Sequence, residues 1–144
     1  MARDFPIRTD DTVAKPEAAG PAGLAVALWL LGRDHPPVAL DDGGRAALGD
    51  LAGDARALAE TLALLSRART LGTRARRLDP ALDPVWETRA RDLLNAPKVW
   101  AAVNAVAGAL QARRVLSAAE VAAIADWVTE ARPPLPVWMK LPGA

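Results

Sequence analysis

Between Pro21 and Asp34 the chain reads PAGLAVALWLLGRD, with an unbroken apolar run from Leu24 to Leu31. Such a run is either a buried strand or a helix that is apolar on every side. Alanine and leucine are strong helix formers, whereas strands favour β-branched and aromatic residues, so the composition decides for helix. Pro21 falls near its first turn and Gly32 supplies the stop. With no polar face to turn to water, this helix is expected at the centre of the fold.

The next pattern is amphipathic. Pro36 and Pro37 forbid a helix interior, so HPPVALDD is a loop. Asp41 or Asp42 then caps a long helix running to about Arg69. Along it Leu48, Leu51, Ala55, Leu58, Leu62 and Leu65 recur at spacings of 3, 4, 3, 4 and 3, a heptad seam suited to lengthwise packing against another helix. Gly49, Gly53 and Ala57 form a small-residue line four apart, where another backbone has room to approach and where Gly53 permits a bend.

After the break TLGTRARRLDPALDP, Asp83 and Pro84 read as a cap and first turn, with Trp86, Ala90, Leu93 and Leu94 on one face. A further helix has Asn95 as its expected cap and Val99, Val103, Val106 and Leu110 on its core stripe. The last starts at a capping box, Ser117 to Glu120, and buries Val121, Ile124, Ala125 and Val128 until Arg132 and Pro133 end it. Residues 1–20 show no periodicity and read as an extended or mobile arm. Residues 133–144 are too proline-rich for helix or central strand and read as an extended tail. The expectation is therefore an all-α helical domain over residues 21–132, a bundle of about four to six helices between an arm and a tail.

Composition narrows the chemistry. The chain has 144 residues, about half of them hydrophobic, which is enough for one core. It has no cysteine, which excludes disulfides, Fe–S clusters and thiol catalysis. Its single histidine, His35, lies beside Pro36 and reads as a solvated turn residue rather than a base. One histidine and no cysteine point to no metal and no cofactor. Gly44 to Gly49 has the spacing of a phosphate loop, but Asp50 follows where Lys is needed. DDGGRAALGD misses the ligand spacing of a calcium loop. The serines are Ser66 and Ser117, neither in a nucleophile turn and the second already a cap. Asp41/Asp42 and Asp79/Asp83 sit where loops and caps want aspartate. No catalytic residue is assigned, and the chain is not expected to be an enzyme by itself. The N-terminus lacks an apolar h-region and no apolar run reaches the roughly 20 residues of a membrane span, so the expected location is cytoplasmic, with no membrane contact. The ratio of fifteen arginines to three lysines suggests a bacterial source.

The charge is uneven. Net charge is +1, but residues 1–65 carry six basic and ten acidic groups, residues 66–114 ten and four, and residues 115–144 two and three. The basic middle centres on Arg67, Arg69, Arg74, Arg76 and Arg77, with Arg113 and Arg114 close by if two helix ends share one side of the bundle. Three readings stand open: cations complementing a helix C-terminus, a surface for an acidic protein partner, and a phosphate-binding surface for nucleic acid. The lack of aromatics among the arginines and of helix-turn-helix spacing argues against nucleic acid.

Trp29 and Trp86 fit apolar faces. Trp100 lies about 100° from Val99 and Trp127 about 120° from Val121 in helical projection, so both are candidate contact residues, as are Trp138 and Met139 in the tail. RARDLLNAP followed by SAAEVAAIAD is similar to stretches in the helical small subunit of B12-dependent diol dehydratases. That resemblance implies the class of a small helical subunit with no catalysis of its own, and no residue or cofactor is carried over from it. The leading expectation is a small non-catalytic protein that binds another protein, as a subunit, adaptor or inhibitor, with self-association included. The alternative is an accessory or regulatory protein that binds nucleic acid through the basic cluster.

Overall fold

The apolar run forms a helix enclosed on three sides. In the computed structural model, which describes residues 16–32, 36–40, 43–49, 51–71 and 82–129, helix α1 spans Pro16–Leu30 and every residue from Ala22 to Leu31 except Gly23 is hydrophobic and buried. Around it pack α3 (Gly53–Leu71), α5 (Pro97–Arg113) and α6 (Ala118–Thr129). Helix α2 (Gly43–Ala46) is a single turn, and α4 (Pro84–Asn95) lies against α3 and α5. The architecture is all-α, as the patterning requires.

Helix α1 begins at Pro16, five residues before the expected start of the helical domain at residue 21. Pro16, not Pro21, occupies the first turn, where a missing N–H costs nothing. Pro21 is then inside the helix and removes one bond to the carbonyl of Glu17. Burial of Ala18, Ala19 and Ala22 at 0% exposure offsets that loss. At the far end Gly32 takes φ 66° and its N–H donates to the Trp29 carbonyl at 3.0 Å, stopping the helix as expected.

The expected long helix from residue 42 to 69 is broken. Four glycines stand between residues 43 and 53, each costing about 0.5–1 kcal/mol relative to alanine in a helix interior. Helix α2 therefore gives way to turns in which Leu48 N–H donates to Arg45, Gly49 to Ala46 and Leu51 to Leu48. The break turns Leu48 fully into the core. From Ala55 the seam holds, with Ala55, Leu58, Leu62 and Leu65 buried.

The close helix approach is also not where the small-residue line placed it. A Cβ on Gly53 would meet nothing within 4 Å, and one on Gly49 only its own turn. The tight crossing is at Gly23 of α1. A Cβ there would stand 2.5 Å from Ser66 Oγ, 2.9 Å from the Leu62 carbonyl and 3.0 Å from Ala63 Cα, all on α3. Ser66 itself is fully buried, and its hydroxyl donates to the Leu62 carbonyl at 2.7 Å, so its only polar atom is satisfied within α3.

Helix α4 opens as expected, with Asp83 Oδ1 accepting from Val85 N–H at 2.8 Å and Pro84 at the first position. The cap of α5 is not Asn95, which is the last residue of α4. Pro97 drives Ala96 to extended geometry, φ −72° and ψ 119°, so Ala96 becomes both the end of α4 and the start of α5. Residues Ala102 to Leu110 of α5 are buried on all sides, making it a second central helix beside α1. It ends at Arg114, whose φ of 68° reverses the chain. The strands Val38–Ala39 (β1) and Val115–Leu116 (β2) then pair antiparallel, and Leu40 N–H donates to the Arg114 carbonyl at 2.9 Å. This short clasp ties the proline-rich connection to the turn before α6. Among the described residues no helix is long and apolar enough to cross a membrane.

The Gly23 crossing predicts opposite outcomes for two glycine substitutions. Gly23→Ala pushes against α3 backbone and is expected to destabilise by about 1–3 kcal/mol despite alanine's better helix propensity. Gly53→Ala has open space and is expected to be neutral or stabilising by up to about 1 kcal/mol. Urea denaturation followed by circular dichroism measures both.

Candidate functional site

The C-terminal half of α3 carries Arg67 and Arg69 on opposite faces, and the structure gives them different surroundings. Arg67 is exposed, with its stem over α1, where Gly20 leaves room: Arg67 Cβ and Cδ lie 3.8 and 3.9 Å from where a Gly20 Cβ would be. Arg69 reaches sideways. Its guanidinium lies 4.0 Å above the Trp100 ring of α5 and donates from Nη1 to the Leu94 carbonyl at 3.0 Å. That carbonyl is among the last four of α4, which have no partner inside their own helix. Arg69 thus closes the end of α4 electrostatically and fixes α3, α4 and α5 at one point.

Trp100 is correspondingly not a contact residue. It is 3% exposed, roofed by Arg69. An angular offset of about 100° from Val99 moves a side chain off the core stripe only if the helix has an exposed side there, and α5 is covered by α1, α4 and α6. Trp127 differs. It is 50% exposed on α6, with exposed Ala123 one turn earlier. Trp29 is core, and Trp86 is partly buried with the Arg89 guanidinium 5.2 Å from its ring centroid. Trp138 and Met139 lie outside the described residues, as do Arg74, Arg76, Arg77, His35, Asp41, Asp42 and Asp79.

Arg113 and Arg114 do not join Arg67 and Arg69. Arg69 sits over Trp100, near the start of α5, and Arg113 ends that helix thirteen residues later. At 1.5 Å per residue the separation along the axis is about 20 Å, twice the Debye length of about 8–10 Å in physiological salt. Arg113 instead pairs with Glu120 Oε2 at 3.2 Å, and Arg114 serves as the left-handed cap of α5.

Glu120 in turn completes the expected capping box. The Ser117 N–H donates to its Oε1 at 2.9 Å, and its own N–H donates to Ser117 Oγ at 3.1 Å. The Ser117 backbone N–H holds the Glu120 carboxyl below its ordinary value, helped by the Ser117 side chain and the Arg113 guanidinium and opposed by partial burial. Both serines of the chain are therefore occupied in helix hydrogen bonds.

One recess remains beside Arg69. It is a half-open depression of about 150 Å³, lined by Leu65, Arg69, Arg91, Leu94 and Asn95. Arg91 is bound within α4, donating from Nε and Nη2 to Glu87 Oε1 at 3.0 and 2.9 Å. Sequence reasoning missed Arg91 and Asn95 because they belong to α4, while the arginine cluster was read along one stretch of chain. Among the described residues no three His, Cys, Asp or Glu side chains come together. Comparison with known proteins finds no matching family model, no similar curated protein and no similar solved structure.

Two outcomes test these roles. Arg69→Ala removes a ring contact and a charged hydrogen bond and is expected to cost about 1–2 kcal/mol, with Trp100 emission shifted to longer wavelength, whereas exposed Arg67→Ala stays within about 0.5 kcal/mol. For Glu120, a depressed folded pKa means its contribution is complete above the unfolded carboxyl pKa and is lost as pH falls through the folded one. Glu120→Gln is therefore expected to lower the melting temperature at neutral pH, by loss of about 0.5–1 kcal/mol of capping. The gap to wild type closes as pH drops below the carboxylate range, which a melting series across pH measures.

Proposed function

We propose that this chain is a small non-catalytic helical protein that acts by binding another protein. The observation carrying the proposal is Trp127, a half-exposed tryptophan on the outer side of α6 with exposed Ala123 one turn before it. Tryptophan is among the residues most enriched at the energetic centre of interfaces, where its large ring supplies contact area. Exposed Val85 and Val115 lie on other elements, α4 and β2. The side chains that hold the fold's polar points, Ser66, Ser117, Glu120, Arg113 and Arg69, are each committed to a structural bond. That leaves contact, rather than bond-making chemistry, as the role these residues support.

The nucleic-acid alternative drew on a joined basic surface of Arg67 to Arg77 with Arg113 and Arg114. The separation of about 20 Å along α5 and the pairing of Arg113 with Glu120 weaken that reading.

The test is affinity capture from native extract with mass spectrometry, paired with sedimentation of the purified chain to register self-association. Wild-type protein is expected to recover a reproducible partner or to self-associate. Trp127→Ala is expected to weaken that association about tenfold or more with little change in melting temperature. A monomer that recovers nothing, or an association indifferent to Trp127→Ala, overturns the proposal.

A further inference from the structure

The recess between α3 and α4 has a charge balance and a set of donors that define what it accepts. Two guanidiniums face it, but they are not equivalent. Arg91 is neutralised by Glu87, which takes its Nε and Nη2 and leaves Nη1. Among the described residues Arg69 meets no carboxylate and hydrogen-bonds only from Nη1 to a backbone carbonyl, so Nε and Nη2 retain their donors there. Its plane is already held by the Trp100 ring, so little side-chain entropy remains to be lost when an anion binds. Leu65 and Leu94 add apolar surface, and Asn95 an amide.

We infer that this recess seats one side-chain carboxylate from an acidic segment of a partner protein, an inference that rests on the protein-binding reading above. Charge selects a carboxylate over a phosphate. Counting the described residues, the recess carries one uncompensated positive charge and lies at the C-terminal end of α4, where the helix dipole contributes roughly −0.5 of a charge. A monoanion takes that sum from about +0.5 to about −0.5, whereas a dianionic phosphate takes it to about −1.5 and lacks the backbone N–H groups that helix N-termini give to phosphate. The two leucines suit the methylenes of a glutamate, and the remaining N–H groups of Arg69 and Arg91 approach the carboxylate from two sides.

The experiment is an NMR titration of the full chain at constant ionic strength, following the arginine Nε–H and tryptophan indole signals. The probes are the capped tripeptide acetyl-Leu-Glu-Leu-amide, its Leu-Gln-Leu counterpart, and inorganic phosphate. Saturable shifts at Arg69, Arg91 and Trp100 are expected with the glutamate peptide, and only chloride-like drift with the other two. Arg91→Gln, an exposed change that removes only a pair within α4, is expected to weaken the glutamate peptide about threefold or more. Arg69→Lys, which keeps the charge and loses the planar fork, is expected to weaken it further. Tighter binding of phosphate, equal shifts from the glutamine peptide, or saturation unaffected by Arg91→Gln each overturns the assignment. A recess that takes no carboxylate while partner capture through Trp127 persists removes this inference and leaves protein binding standing. Carboxylate binding with no partner recovered keeps the seat and removes the Trp127 reading.

Discussion

Everything in this fold depends on how tightly α3 can press against α1. Helix α1 has no side to give to solvent, so it requires neighbours all round, and α3 is the neighbour that shares its longest contact. The absence of a side chain at Gly23 lets the α3 backbone at Leu62 and Ala63 approach to distances no Cβ tolerates. That contact sets the depth and direction of α3. Two turns beyond the crossing, α3 delivers Arg69 over Trp100 and within hydrogen-bond reach of Leu94, so the site inherits its geometry from a glycine on another helix.

Most of the helices were legible because their signals are local. The Asp83–Pro84 start, the Ser117–Glu120 box and the Gly32 stop each use backbone groups within four residues, and all three form as read. The failures share a cause as well. The break at residues 47–52 results from several glycines acting together, while the leucine seam runs through them without interruption. The clasp of Val38–Ala39 with Val115–Leu116 is too short to show alternation, and its partners are far apart in sequence. The Gly23 approach was hidden because small-residue spacing marks where a backbone has room to approach, not where one does.

The tryptophans make the same point about faces. Trp100 and Trp127 sit at similar angles from their core stripes, yet one is 3% exposed and the other 50%. Projection angles describe a helix with one buried side. Helix α6 is such a helix, so its offset residue reaches solvent; α5 is enclosed, so its offset residue is only differently buried. Which helix is interior is a property of the assembled layers, set by how many apolar faces each has to satisfy.

The arginines show why a charge cluster in sequence need not be one in space. Arg67 and Arg69 are two residues apart, which on a helix is about 200° of rotation, and they face different neighbours. Arg69 and Arg91 are 22 positions apart and line the same recess. A guanidinium is large enough to satisfy a carbonyl, cover an aromatic ring and still present N–H groups outward. A structural bond therefore does not exhaust it. The same contacts that tie Arg69 to Leu94 and Trp100 also limit the directions in which its remaining donors can point.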